Sequence, residues 1–243
     1  MSGQIAVVLG VGALQGLGAA LCRRAAKDGY TVVVSGRTAS RIDAVRDQIV
    51  QGGRTAASIV ADVTDESQIR SLFTQIDSMD GVLSFDGYNA GNAFSGDTLS
   101  MTAEYFEQAW RVCCLGGFLT AREAGNRLAD LGAGTIVFTG ATASIRARPP
   151  FLAFASAKAG LRAVAATFAR ELGPRGVHVA HAIIDGGIEG ERLLSKNPSL
   201  KDKMGEHGML HPDAIAESYW QLHLQHPSAW SFEIDLRPFK ETF

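Results

Sequence analysis

Val7-Val8-Leu9 runs into Gly10-Val11-Gly12-Ala13-Leu14-Gln15-Gly16-Leu17-Gly18, and an apolar helical pattern over Ala19–Lys27 follows at once. Phosphate chemistry asks for such a segment. Residues without side chains let backbone N–H groups, and the first turn of a helix, come up against a pyrophosphate. Gly12 and Gly16 are expected to allow the turn and the close approach, and Gly18 to let the helix pack tightly on the strand. Gln15 and Leu17 belong to the same loop. Counted from Gly12, the spacing is G-x-x-x-G-x-G rather than G-x-G-x-x-G, but the strand–turn–helix context is the one a dinucleotide site requires.

The next apolar run ends in Ser35-Gly36-Arg37-Thr38. A site for the unphosphorylated dinucleotide usually carries Asp or Glu there, to bind the ribose 2′-hydroxyl. Here no acid is present, and Arg37 offers a planar, permanently charged fork suited to a 2′-phosphate. NADP(H) is therefore favoured over NAD(H).

Four further segments, in order, complete a pattern: Asp62-Val63, Asn89-Ala90-Gly91 behind Tyr88, Phe154-Ala155-Ser156-Ala157-Lys158, and Gly173-Pro174-x-Gly176-Val177-His178-Val179. Together with the glycine loop, in which Val11 replaces a usual threonine, they resemble the short-chain dehydrogenase/reductase family over nearly the whole chain. The resemblance implies hydride transfer between nicotinamide C4 and a carbonyl or alcohol carbon. It assigns Asp62 and Val63 to the adenine, Asn89, Ala90 and Gly91 to the cofactor cleft, Lys158 to the nicotinamide ribose and the backbone of Ile188 to the carboxamide.

The family normally moves the proton with a Tyr-x-x-x-Lys pair one helical turn apart, a serine at the end of the fifth strand and an asparagine on the preceding helix. The ammonium lowers the phenol pKa, so the phenol can give or take a proton near neutrality. In this chain Lys158 is kept, but Phe154 occupies the tyrosine slot, and a phenyl ring donates no proton. The serine slot falls on Ala141 or, shifted by one, Thr142. Cys113 stands where asparagine is usual, Asp185-Gly186 replaces Pro-Gly, and Gly190 replaces a threonine. Ser156-Ala157-Lys158-Ala159-Gly160 also resembles a stretch of dienoyl-CoA reductases, which lack tyrosine in this slot; their upstream tyrosine corresponds to Ala143 here.

Other groups could carry the proton, each with a plainer alternative. Thr142 and Ser144 are candidate relays or ordinary turn hydroxyls. Asp185 is a candidate acid if buried, or a turn cap. Tyr88 is a pocket residue or a core tyrosine, and Cys113 reads as a small hydrophobe inside a helix. Phe94, Phe151, Leu152 and Phe154 would give an apolar substrate pocket, or else core or interface. Two functions follow: an NADP(H)-dependent reductase acting on a carbonyl or conjugated C=C of an apolar small molecule with an altered proton donor, or a catalytically degenerate dinucleotide-binding sensor or assembly subunit. A methyltransferase would leave the Lys158 segment unexplained, and a sugar-nucleotide epimerase would need a longer C-terminal region.

These residues need a scaffold, and the pattern of the 243 residues supplies one. Apolar runs at Ile5–Leu9, Thr31–Ser35, Ala57–Ala61, Val82–Tyr88, Thr135–Thr139, His178–Ile184 and Phe232–Leu236 alternate with helical patterns at Gly16–Asp28, Ser40–Gln51, Glu66–Ser78, Ala103–Leu131, Phe151–Leu172 and Pro212–Gln225. Strict alternation predicts one α/β domain, residues 1–243: a Rossmann-type doubly wound parallel sheet of about seven strands with helices on both faces. The polar stretch Glu189–Leu210, with Asn197-Pro198, Gly205 and Gly208, reads as a substrate lid.

Hydrophobic residues make up 46% and the formal net charge is −2, which gives no electrostatic reason to expect nucleic acid or a membrane surface as partner. No apolar run approaches the roughly 20 residues of a membrane span. The three cysteines, Cys22, Cys113 and Cys114, form neither a disulfide framework nor a metal spacing. A cytoplasmic location is expected, with a small-molecule substrate and no metal. The resemblance implies a homodimer or homotetramer, with a dimer interface through the helices around Ala103–Leu131 and Phe151–Leu172. The C-terminal segment Trp230–Phe239 is apolar enough to want a partner surface, but it departs from the Asp-Gly-Gly ending with which the family makes its second, tetramer-forming contact.

Overall fold

The computed structural model describes residues 3–242. Every apolar run becomes a strand: β1 (Gln4–Leu9), β2 (Thr31–Gly36), β3 (Ala56–Val60), β4 (Val82–Tyr88), β5 (Gly134–Thr139), β6 (Val177–Ile184) and β7 (Glu233–Leu236). All pairs are parallel, in the order β3-β2-β1-β4-β5-β6-β7. The chain moves outward from β1 to β3, then returns past β1 to start β4. Beyond the C-terminal ends of β1 and β4 the connections diverge, and this divergence opens the crevice in which ligands of such sheets bind.

Helices α1 (Leu17–Lys27), α2 (Ala39–Gln51) and α9 (Pro212–His223) cover one face, and α3 (Glu66–Asp77), α5 (Gly116–Leu131) and α6 (Leu152–Leu172) cover the other. The central strands are therefore buried on both sides, which is why β1 and β2 read as nearly continuous apolar runs.

The helical pattern Ala103–Leu131 is not one helix. It divides into α4 (Ala103–Trp110), a π-helical turn Arg111–Leu115, and α5. Side-chain size explains the break. An added Cβ would lie 2.5 Å from the Tyr88 hydroxyl at Gly116 and 2.4 Å from Leu161 Cδ1 at Gly117, so this stretch is pressed against β4 and α6. The widened turn absorbs the displacement, and the Tyr88 hydroxyl donates to the Val112 carbonyl at 2.5 Å. The stretch Glu189–Leu210, read as a substrate lid, contains α7 (Glu191–Leu194) and α8 (Leu200–Met204). Its ends are clamped by a parallel bridge between Ile188 and Leu210.

One buried group is at odds with this core. Asp86 lies on β4, opposite Val7 of β1 and Ile136 of β5, and neither carboxyl oxygen has a hydrogen-bond partner among the described residues. Burial pushes its pKa up to about 8. The folded chain thus keeps a proton that the unfolded chain releases near pH 4, and stability falls as pH rises through this window. Burial pushes His181 and His223 down to about 4, which is the opposite case. They fold neutral, and the unfolded chain gains protons below an ordinary histidine pKa of about 6.5, so they cost stability as pH falls from there toward 4. Between pH 6.5 and 8 only Asp86 of these three acts. Over that range wild type is expected to lose about 1.4 kcal/mol per pH unit relative to Asp86→Asn, read from urea unfolding; parallel curves would mean that Asp86 folds ionised.

Candidate active site

The glycine loop is shaped by a residue the sequence reading passed over. Gly10, not Gly12 or Gly16, makes the reversal at the end of β1, with φ of +82°. A Cβ there would lie 2.3 Å from the Ala90 nitrogen, so only glycine lets the first and fourth strand ends touch. Around Gly12 the space is open, the first atom met being Arg41 Nη1 at 4.0 Å. Gly18 packs as expected: a Cβ would meet Val11 Cα at 3.0 Å. Gly16 is the N-cap of α1, and no side chain caps the helix there, whereas Asp65 caps α3 through the Ser67 and Gln68 N–H groups. The first N–H groups of α1 are thus left for a ligand. Leu17 is buried, and exposed Gln15 lends its carbonyl to the Glu191 N–H at 3.4 Å.

Arg37, 65% exposed, follows β2 with its Nη1 3.9 Å from Asp62 Oδ2. Asp62 itself accepts from the Thr64 N–H and hydroxyl, which fixes the turn after β3. Val63 is buried beneath Gly116. On the other wall, Asn89 takes the Leu9 carbonyl with its N–H and the Gly10 carbonyl with its side-chain amide at 3.2 Å, which ties Asn89-Ala90-Gly91 to the glycine loop. Open glycine space, an uncapped helix start and nearby guanidinium groups all fit a dinucleotide.

Lys158 closes the inner end. It is 3% exposed, on α6, and Nζ donates to the Thr139 carbonyl at 2.6 Å. A Cβ at Gly91 would lie 3.4 Å from Nζ and 3.6 Å from Cys113 Sγ, so the ammonium faces the cofactor wall beside a thiol. Phe154, one turn earlier, holds its ring centroid 5.9 Å from Nζ. Burial lowers the Lys158 pKa, an effect that Cys113 and Cys114 partly offset. The aromatic neighbours form an apolar cluster: Phe94, Ala109, Cys113, Ala153 and Ala157 with Met101, Tyr105, Phe106 and Phe154 around them. Leu152, named with the pocket, instead lies 39% exposed at the start of α6.

The candidate proton donors are differently disposed. The Thr142 hydroxyl, in a short 3₁₀ turn after β5, donates to Asp185 Oδ1. Asp185 is buried and also receives Arg146 at 3.1 Å and Arg237 at 3.3 Å; it anchors the C-terminal segment as an acceptor. The Ser144 hydroxyl is turned inward. It accepts from the Ala141 N–H and lies 3.4 Å from His181 Nε2, while His181 Nδ1 meets Glu233 at 2.9 Å. Arg162 grips the same carboxylate through two bonds of 2.6 and 2.9 Å. With His181 neutral, this network assigns the donor proton to Nδ1. Tyr88 is fully buried on Val112, a core tyrosine. Ile188 pairs with Leu210, packs against the α1–α9 core, and accepts the Gly190 N–H.

Sequence reasoning missed Thr139, whose carbonyl holds Lys158 and whose hydroxyl links Tyr219 (3.1 Å) to Asn89 (3.4 Å). It also missed His181, Glu233 and Arg192. Pattern gave no sign of them, because strands far apart in the chain supply the partners; only the polar His181 and Glu233 within apolar strands were visible hints.

Such a cleft, at the switch point of a doubly wound sheet, is where a ligand of this kind of fold would lie. The short chain dehydrogenase family profile matches residues 6–198, and the chain belongs to that family. It is 30% identical to the versicolorin reductase of Emericella nidulans over 197 residues, 80% of this chain and 73% of that one. With an NADPH-dependent aldehyde reductase-like chloroplastic protein of Arabidopsis thaliana it shares 28% identity over 84% of this chain and 80% of the other. Among solved structures, a short-chain dehydrogenase from Rhodopseudomonas palustris superposes with a TM-score of 0.84 at 33% identity, covering 97% of this chain and 99% of that one.

Asp185→Asn is expected to lower stability by about 2 kcal/mol, because the buried carboxylate that Thr142, Arg146 and Arg237 share loses its charge, whereas Thr142→Val should cost about 1 kcal/mol. Urea midpoints measure both. An unchanged midpoint for Asp185→Asn would free this carboxylate from its anchoring role.

Proposed function

We propose that the protein is an NADP(H)-preferring reductase of an atypical kind. It transfers hydride to a carbonyl or conjugated C=C of an apolar small molecule, with the proton held on Lys158 instead of a tyrosine. The observation that carries this reading is the buried Lys158 ammonium between the cofactor wall at Gly91 and the apolar cluster of Phe154, with no phenol one turn before it.

Gly12, Gly16 and the start of α1, with Gln15, Leu17 and Gly18 shaping the loop, would hold the pyrophosphate. Arg37 would take the 2′-phosphate, Asp62 and Val63 the adenine side, Asn89, Ala90 and Gly91 the facing wall, and the Ile188 backbone the carboxamide. A bound nicotinamide supplies the hydride. Lys158 Nζ then neutralises the oxygen that becomes negative as the carbonyl carbon gains that hydride, and recovers its proton from water. Thr142, with its hydrogen committed to Asp185, keeps the adjoining turn in shape, and Phe154 presents an apolar surface to the substrate. The lowered Lys158 pKa suits this role, because a weaker base is a stronger acid.

The named activities of the relatives, a versicolorin reductase and an NADPH-dependent aldehyde reductase-like protein, support reduction and do not favour a non-catalytic sensor. The segment 189–210 would act as the substrate lid. Phe118 and Trp110, 37% and 40% exposed on the α4–α5 flank, would lie in a homo-oligomer contact. No helix among the described residues is long and apolar enough to cross a membrane.

NADPH oxidation with a panel of aldehydes, quinones and conjugated enones tests the reading. Wild type is expected to turn over at least one class, and kcat/KM should fall as pH rises through a value below the ordinary lysine range, because reduction needs the protonated amine. Lys158→Met should abolish turnover, and Phe154→Tyr should raise carbonyl reduction by about 100-fold. NADPH binding without turnover in wild type and in Phe154→Tyr would overturn the proposal in favour of a binding protein.

A further inference from the structure

Three guanidinium groups converge on the mouth of the glycine loop, and they come from different parts of the chain. Arg37 follows β2 and Arg41 lies on α2, with Arg41 Nη1 4.0 Å from where a Cβ of Gly12 would be. Arg192 comes from the far side of the crevice, on α7 of the lid segment. That segment already lies across the loop. The Glu191 N–H meets the Gln15 carbonyl at 3.4 Å, a Cβ at Gly190 would lie 3.0 Å from the same oxygen, and Arg192 Nη1 donates to the Gly91 carbonyl at 2.9 Å. Residues 190–192 therefore span from the glycine loop to the facing wall.

The charge balance there is uneven. Arg37 has only Asp62, at 3.9 Å, and Arg41 and Arg192 pair with no carboxylate among the described residues. Partial burial, and then repulsion by Arg37 and Arg41, lowers the Arg192 pKa. Like charges drawn together at an uncapped helix start leave one class of partner, an anion with several oxygens.

We infer that Arg192 is a cofactor-binding residue delivered by the lid, which joins Arg37 and Arg41 on the phosphate groups of the bound dinucleotide and so couples cofactor binding to closure of segment 189–210. This rests on the dinucleotide reading of the site and adds to it a residue outside the loop and strand motifs. Without the anion, mutual repulsion opposes the closed lid; with it, each guanidinium gains a charge-assisted bond and the lid is held.

Titration of the intact protein with NADPH, NADH and adenosine 2′,5′-bisphosphate, followed by nicotinamide fluorescence or calorimetry, tests this in wild type and Arg192→Gln. The variant should bind NADPH at least about tenfold more weakly. An equal loss for NADH assigns Arg192 to the pyrophosphate, and a loss confined to NADPH and the bisphosphate assigns it to the 2′-phosphate; either supports the inference. Limited trypsin digestion gives a second readout. NADPH should protect Lys196, Lys201 and Lys203 of the lid in wild type and fail to do so in Arg192→Gln. Unchanged affinity and unchanged protection in the variant would overturn the inference while leaving the cofactor site intact. Failure of wild type to bind either dinucleotide would instead overturn the underlying reading of the site.

Discussion

The active crevice depends on one close approach, the contact of Gly10 with Asn89 and Ala90 where β1 and β4 end. Strands in a parallel sheet are separated by a fixed hydrogen-bonding distance, and their outgoing turns must fit within it. At this place the fit allows no Cβ, and Asn89 completes it by bonding the Leu9 and Gly10 backbone. The glycine loop is thereby aimed one way and the Asn89–Gly91 wall the other. Gly91 then offers one side to Lys158 and its carbonyl to Arg192. The Asn89–Gly91 wall, Lys158 and the segment that carries Arg192 all refer back to this single contact.

Around it the protein handles buried polarity in unequal ways. Lys158 is held by a backbone carbonyl and an aromatic face rather than by a carboxylate, so its charge stays available. Asp185 is surrounded by a hydroxyl and two arginines, and Glu233 by His181 and Arg162; both are committed to holding elements together. Asp86 has no such partners among the described residues, and burial favours its neutral form. Buried ionisable groups with partners stiffen a site, and those without partners make it sensitive to pH.

The chemistry this favours follows from that division. Every hydroxyl or carboxyl near the end of β5 is engaged by another protein group, and the ammonium of Lys158 is the group left facing the pocket. A reductase working on an activated, apolar acceptor tolerates such an arrangement better than an alcohol dehydrogenase, since its developing oxyanion asks for a proton and not for a strong base.

Fold class was legible in the sequence because strand and helix periods are local, and because a sheet covered on both faces writes each strand as an apolar run. The strand–turn–helix setting of the glycine loop, and the helical spacing that puts Phe154 one turn before Lys158, were legible for the same reason: each belongs to a short contiguous segment. Tertiary structure alone decided which glycine makes the turn, since Gly10 is singled out by Ala90, eighty residues away. It divided the helix after Ala103 through contacts with Tyr88 and Leu161, and it turned Ser144 inward toward His181. It also brought Arg192 to the Gly91 carbonyl, a hundred residues back in the chain. These outcomes depend on distances between segments remote in the chain, and no local pattern of residue types encodes such distances.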